Sequence, residues 1–488
     1  MEDKNNESSL SKNFSENINY LLKELRIEKN FDVVHRKLEY GNKKFGLFFI
    51  DGFANAEVML EIMKELKKIS PNALYKDAIQ KLVQQFIPHI EVETSKDLEE
   101  VISQVLSGQA AFIVEGYDEA ILVDIREYPA RSPEEPDIER VVRGPRDGFV
   151  ETIVFNAALI RRKIRDRSLV MEHFTVGRRS KTDVIVAYLD SVADKHLVEE
   201  IAEKINDIRI DGLPMEEKSL EEFIFGRHYN PYPMVRYTER ADTCGVHLKE
   251  GHILILVDGS PSVMICPTTF WHHLQHAEEY RQKPIVGIFL RWVRFVAILA
   301  SLFLLPLWYV LAENPQLLPE SIKFIGPEKT GNIPLFWQFF LAEIGIEILR
   351  MAAIHTPNAL ATALGLVAAI LIGEVAINVG LFAEEVILYL AIAAMSTFAT
   401  PSYELSLANR IFRLVFLIVG AVLGIYGLIG AVILWFILLA TTKSLNVPYL
   451  WPLVPLNIRA LIDFLFRIPV PLKKQRPSIL NTQDDTKS

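Results

Sequence analysis

Carboxylates set inside long apolar stretches are the residues of this chain best placed to do chemistry. Glu374 and Asn378 lie within the otherwise oily run Leu360–Leu381, and Glu343, Glu347 and Arg350 lie within Leu335–Ile354. On a helix, residues four and seven apart share one face, so each set forms a polar stripe. Hydrocarbon tolerates ionisable groups poorly, so such residues face a bundle interior, a subunit contact or a water path. For Glu347 and Arg350 two readings stand: an internal ion pair on a helix at the membrane interface, or part of a stripe lining a pore or a subunit contact. For Glu374 and Asn378 the alternatives are a hydrogen-bonded clamp between helices and a pore lining. One protomer with so few polar positions can hardly enclose a water path, whereas a ring of copies, each giving one polar-faced helix, can.

The elements that carry these residues read as a membrane domain. A first span covers about Leu290–Leu311, led in by Arg281, Lys283, Arg291 and Arg294, a basic flank that favours the cytoplasmic side. Leu335–Ile354 is amphipathic. Leu360–Leu381 follows, then Val386–Ala399, which is short for a span and preceded by Glu384 and Glu385. Leu414–Ala440 would run about 40 Å as one helix at ~1.5 Å per residue, longer than a hydrocarbon core of about 30 Å, so it must tilt, bend or protrude. Gly420, Gly424, Gly427 and Gly430 give it a small-residue face. Five crossings would leave the basic tail (Lys473, Lys474, Arg476) outside, so an even number is favoured.

Before about residue 285 charge is dense and the pattern mixed. The chain has 488 residues and net charge −9, with 52 Lys+Arg against 61 Asp+Glu, which argues against a nucleic-acid binder. Cys244 and Cys266 cannot build a disulfide framework. Met1–Glu16 has no apolar segment of the signal-peptide kind, so the soluble part is expected on the cytoplasmic side. Residues 1 to about 17 look disordered. Strands are expected at Phe45–Ile50, His89–Val92, Ala110–Glu115 and Ala120–Ile125, with helices at Ala54–Leu66, Ala78–Phe86 and Lys96–Leu106. After a Pro- and charge-rich connector come a helix at Val150–Arg167, strands at Leu169–Val176 and Thr182–Leu189, and a helix at Lys195–Ile205. A hairpin turning on Asp258-Gly259 closes the region. No repeat is visible. The expectation is an α+β soluble N-terminal region of two α/β subdomains followed by an α-helical transmembrane domain. Its segments are a polar N-terminus 1–30, subdomains 31–135 and 136–283, a membrane domain 284–468 and a basic tail 469–488.

Other polar clusters are weaker. Arg161, Arg162, Lys163, Arg165 and Arg167 read as a solvated face, or as an inter-domain or inter-subunit contact with the acidic connector (Glu134, Glu135, Asp137, Glu139). His272, His273 and His276, with Glu278 and Glu279, have metal-like composition, but the join between a soluble and a membrane domain is also a usual place for such residues. Gly177–Thr182 lacks the second glycine of a phosphate loop. No nucleophile–base constellation appears, so neither catalysis, a cofactor nor a metal is assigned.

The run Glu135-Pro136-Asp137-Ile138-Glu139-Arg140-Val141-Val142-Arg143-Gly144-Pro145-Arg146-Asp147-Gly148-Phe149-Val150-Glu151 resembles the signature of GerA-type spore germination proteins, the A subunits of nutrient germinant receptors and their relatives. Asn156 with Leu159–Arg162, Gly177 with Ser180–Thr182, Asp258–Pro261, Asn314–Pro319, Gly373–Ala376 and Val447–Tyr449 with Pro452 extend the likeness over about residues 40 to 465. Ala399–Arg410 and Glu374 resemble a sporulation-protein branch of that family, since receptor A subunits often carry Gln at the place of Glu374. Glu239-Arg240-Ala241-Asp242 departs from the family's usual Arg-Pro-Asp. The resemblance implies a multi-pass protein of the spore inner membrane with its N-terminal domain on the core side. It also implies homo-oligomeric, pentameric assembly into a channel for monovalent cations, a small membrane partner protein and a part in amplifying germination. A nutrient-receptor A subunit is the alternative. Glu135, Glu139, Arg143, Arg146, Arg161 and Arg162 are the contact candidates it leaves.

Overall fold

The structure is a computed structural model that describes residues 9–486, apart from 72, 75–76, 128–138, 140, 227–228, 321–325, 328–330 and 356–373. By its internal contacts the chain forms two units. One comprises residues 1–226, 237–267 and 473–488, and the other residues 227–236 and 268–472.

The first unit holds two five-stranded sheets. β1 (Val33–Tyr40), β2 (Lys43–Ile50), β3 (Val92–Ser95), β4 (Ala110–Val114) and β5 (Ala120–Val123) lie in the order β1-β2-β4-β5-β3 with antiparallel neighbours. Helices α1 (Phe14–Glu24), α2 (Ala56–Lys67), α3 (Ala78–Lys81) and α4 (Leu98–Ser107) cover them. Strand β2 shows why both faces are covered. Phe45 and Leu47 pack with residues of α2 and α3, whereas Phe48 and Ile50 pack with residues of α1 and α4, the period of two that a strand imposes.

The second sheet repeats this plan. It comprises β6 (Leu169–Val176), β7 (Thr182–Leu189), β8 (Arg236–Thr238), β9 (Ile253–Val257) and β10 (Val263–Cys266), in the order β6-β7-β9-β10-β8. In each sheet a hairpin is followed by two helices, an edge strand, one helix and a second hairpin. Here the helices are α6 (Lys195–Asn206), α7 (Glu216–Phe225) and α8 (Ala241–Glu250), and α5 (Ile153–Lys163) precedes the sheet. The expectation of no repeat is therefore corrected at the level of topology. The two copies share an order of elements and of strands, which is a property of pairing that residue identities do not display.

The N-terminus also differs from its composition. Within the segment 1–30 expected to be polar and partly disordered, Leu10, Ile18, Leu21 and Leu25 are buried, and α1 begins at Phe14. A Cβ built on Gly46 would lie 2.2 Å from Ile18 Cδ1, so the missing side chain in β2 is what lets α1 dock. The edge strand expected at His89–Val92 lies at Val92–Ser95.

The second unit is helical: α9 (Ala277–Arg281), α10 (Pro284–Glu313), α11 (Leu335–His355), a short turn α12 (Ala376–Asn378), α13 (Glu384–Phe398), α14 (Tyr403–Thr441) and α15 (Ile458–Phe466). Most of the expected span Leu360–Leu381 lies outside the described residues. Among the described residues two helices are long and apolar enough to cross a membrane, α10 and α14. The core joins Leu302, Leu305 and Trp308 of α10, Phe339 of α11, Val386 and Leu390 of α13 and Phe416 of α14. Phe289, Val296, Val422 and Leu434 point outward instead, a face suited to lipid.

α14 is not one straight rod. Gly424 has φ 64° and ψ −152°, a backbone conformation essentially confined to glycine. Asn409 and Trp435 both reach the hydroxyl of Tyr232, at 3.1 and 2.6 Å. In a straight helix those residues would be about 39 Å apart at 1.5 Å per residue. The chain therefore doubles back at Gly424 into a helical hairpin with arms 403–423 and 425–441. The rings of Phe416 and Trp435 meet across it with centroids 6.3 Å apart. The excess length read from the sequence is taken up by a fold-back. Gly420 lets Val310 of α10 approach, while Gly430 has nothing within 4 Å of its would-be Cβ.

A Phe416→Cys/Trp435→Cys double variant is expected to be joined within one chain by a short bifunctional thiol cross-linker, seen as a mobility shift in the full-length protein. In a straight helix the pair would be about 28 Å apart, and no cross-link would form.

Candidate functional site

Helix α11 presents its acids to the first arm of α14. Arg413 lies on that arm and Glu343 on α11, and Arg413 Nη2 donates to Glu343 Oε2 at 2.7 Å with both side chains nearly inaccessible to solvent. Arg413 Nη1 donates to the carbonyl of Ser301 on α10 at 2.8 Å and reaches Thr397 Oγ1 of α13 at 3.4 Å. One guanidinium on α14 thus touches three other helices. The pair is monodentate, and Glu343 Oε1 and Arg413 Nε find no hydrogen-bond partner among the described residues.

One turn further along α11, Glu347 accepts from two arginines. Arg410 Nη1 donates to Oε1 at 2.6 Å, and Arg350 donates to Oε2 through Nε at 3.0 Å and Nη2 at 2.7 Å. Arg350 Nη1 also donates to the Tyr403 hydroxyl at 2.6 Å. The result is a two-rung acid–base ladder between α11 and α14. An isolated charge here would be strongly unfavourable, and pairing offsets that cost.

Glu374 and Asn378 are different: both are exposed, in and just before the turn α12. In this single chain, Glu343 and Glu347 are covered by arginines and Glu374 is open.

Of the contact candidates, Arg161 links the two expected subdomains. Arg161 of α5 is fully buried and grips Asp32, the residue immediately before β1, through Nε–Oδ2 at 2.8 Å and Nη2–Oδ1 at 2.9 Å. Its partner thus comes from beside the first sheet and not from the acidic connector. Glu139 accepts from Thr238 Oγ1 at 2.7 Å, Arg143, Arg146 and Arg162 are exposed, and Glu135 lies outside the described residues. Arg240, in the segment that departs from the family pattern, is buried on the carbonyls of Glu139 and Pro145 and on Asp242.

The histidine run forms no shared helical face. Phe270–Leu274 is a short 3₁₀ turn, His272 Nδ1 accepts from Thr269 N–H at 3.1 Å, and His276 Nδ1 accepts from Glu278 N–H at 3.2 Å as a helix cap. Burial, with the Arg236 charge adding to it, pushes His273 down to about 3. Glu279 is buried between Arg291, at 2.7 Å, and Arg294, so these two residues of the basic flank are paired.

Reading the sequence missed Arg410 and Arg413 because they sit at the head of an apolar run and look like flanking charge. Their i, i+3 spacing, which matches the i, i+4 acids of α11, was the available signal.

The chain belongs to the Bacillus/Clostridium GerA spore germination protein family, whose model matches residues 19–479. It is 50% identical to stage V sporulation protein AF of Bacillus subtilis (strain 168) over 473 residues, covering 97% of this chain and 96% of that one. It is 30% identical to spore germination protein GerLA of Bacillus cereus over 412 residues, covering 84% and 83%. Among solved structures, it is similar to the N-terminal domain of the A subunit of the Bacillus megaterium spore germinant receptor GerK3. That match has 26% identity and a TM-score of 0.43, and covers 54% of this chain and 98% of that one.

Two outcomes follow. Arg413→Met or Glu343→Leu alone should destabilise the detergent-solubilised protein by about 3–5 kcal/mol, by leaving one buried charge unpaired, and the double variant should recover most of it; thermal unfolding checks this. For His273, the unfolded ring titrates near about 6.5 and the folded ring stays neutral to about 3. Below the first value the unfolded state takes up the extra proton, so stability falls as pH drops between them. His273→Asn should flatten the loss of melting temperature between about pH 7 and about pH 5.

Proposed function

We propose that this chain is a membrane subunit of an oligomeric, pentameric cation channel of the spore inner membrane that promotes or amplifies germination. The observation that carries the reading is the contrast among the acids. Glu343 and Glu347 are neutralised within the protomer, and Glu374 with Asn378 is presented outward from an apolar helical domain. Copies meeting at that face would set a ring of carboxylates around an axis, and such rings favour cations; that the cations are monovalent rests on the family resemblance. The ladder of Glu343, Glu347 and Arg350 with α14 then holds the helices that flank the path. The fold-back of α14 adds a crossing to a run that reads as one, which suits an even, multi-pass count with the N-terminal region on the core side. The number five rests on the family resemblance, as does a small membrane partner.

The alternative is an A-type subunit that relays a signal from partner subunits in a nutrient receptor. The likeness to GerLA favours it; the higher identity to stage V sporulation protein AF favours the first reading.

Purified protein in planar bilayers should pass monovalent cations without other subunits. Glu374→Gln should lower the cation-over-anion permeability ratio several-fold and slow ion release from germinating spores. Unchanged selectivity and release would make Glu374 a packing residue, and conductance only with added receptor subunits would favour the alternative.

A further inference from the structure

Because the two sheets share one topology, each turn in one has a counterpart in the other. Helices α4 and α8 both end at a left-handed glycine, Gly108 at φ 105° and Gly251 at φ 101°. Both close with the same pair of bonds. Gly108 N–H donates to the Val105 carbonyl at 2.8 Å and Gln109 N–H to that of Gln104 at 3.0 Å. Gly251 N–H donates to the Leu248 carbonyl at 3.0 Å and His252 N–H to that of His247 at 3.1 Å. This closure brings together the side chains on either side of the turn, usually an apolar pair. In the first repeat they are Gln104 and Gln109. In the second they are His247 and His252, both buried. The first repeat builds the same turn from amides, so the backbone does not call for imidazoles.

Glu250, the last residue of α8, adds a carboxylate. The candidate ligand atoms of His247, Glu250 and His252 all lie within 4.8 Å of one another. His252 Nδ1 donates to the carbonyl of Pro267 at 2.8 Å, which puts the lone pair of the neutral ring on Nε2. An anchor of this kind is what orients a metal-binding imidazole.

We propose that His247, Glu250 and His252 bind a divalent transition-metal ion of the zinc class. Two imidazoles and one carboxylate suit zinc, cobalt or nickel, whereas calcium and magnesium take oxygen ligands. Bonds of about 2.0–2.2 Å would draw the donor atoms to about 3.3–3.5 Å of one another, so Glu250 swings inward when the ion binds. Glu250 Oε1 now accepts from Lys473 Nζ at 3.0 Å, which makes that ammonium the ion's competitor. Lys473 opens the C-terminal segment, which returns to this corner. Arg476 Nε donates to the Lys249 carbonyl at 2.8 Å, and a Cβ on Gly251 would lie 2.5 Å from Thr482 Cγ2. Ion binding therefore competes with one contact that seats the tail.

The test is a titration of the full-length, detergent-solubilised chain with Co(II) alone, read by visible ligand-field absorption, followed by competition with Zn(II). A saturable band at one ion per chain, displaced by Zn(II), is the expected result. His247→Gln and His252→Gln should weaken binding by about 100-fold or more, and Glu250→Gln by about 10-fold. Lys473→Ala should tighten binding several-fold, a gain that a damaged fold cannot mimic. The absence of a band, or a band unaltered by His252→Gln and Glu250→Gln in protein with unchanged circular dichroism, overturns the assignment.

Discussion

The helical unit depends on a charge that cannot be left alone. Arg413 is 4% exposed at its side chain and is surrounded by apolar helices. A guanidinium does not shed its proton to escape burial, so the fold must supply acceptors. It supplies three kinds: the Glu343 carboxylate, the Ser301 carbonyl and the Thr397 hydroxyl, each from a different helix. Any arrangement of those helices that moved one away would strand the charge. The pair thus specifies the register of α10, α11 and α13 against α14, whatever its net contribution to stability.

The same logic recurs in the sheet-bearing unit. Arg161 and Asp32 are both buried and bidentate, and they tie α5 to the entry of the first sheet. Two copies of one topology are thereby joined through an ion pair that belongs to neither repeat's own core. The repeats differ in their polar details. The Gln104/Gln109 turn and the His247/His252 turn share a backbone and differ in chemistry.

The fold-back of α14 changes how its acids and bases are read. Residues 403–413 look like a charged lead-in to a span, yet they are packed between neighbouring helices, with Ser406, Asn409 and Arg413 buried. Tyr232 closes the hairpin by accepting from Trp435 and donating to Asn409. Burial pushes its hydroxyl pKa upward, so it remains a donor. A glycine at one position, Gly424, makes the reversal possible, because a side chain at that φ and ψ would be strained.

Much of this was legible beforehand. The apolar runs marked the helices, the continuous apolar run Phe45–Ile50 marked a buried strand, and the connector pointed to the family. These features are local, so composition and periodicity determine them. The partners of Glu343 and Glu347 were not legible, because Arg410 and Arg413 lie more than 60 residues away and only packing brings them near. Nor was the repeat, since strand order is a property of pairing and not of residue identity. The sequence determined which residues must leave water and which charges would then need company; tertiary structure decided which charge each one met, because that depends on where distant helices cross.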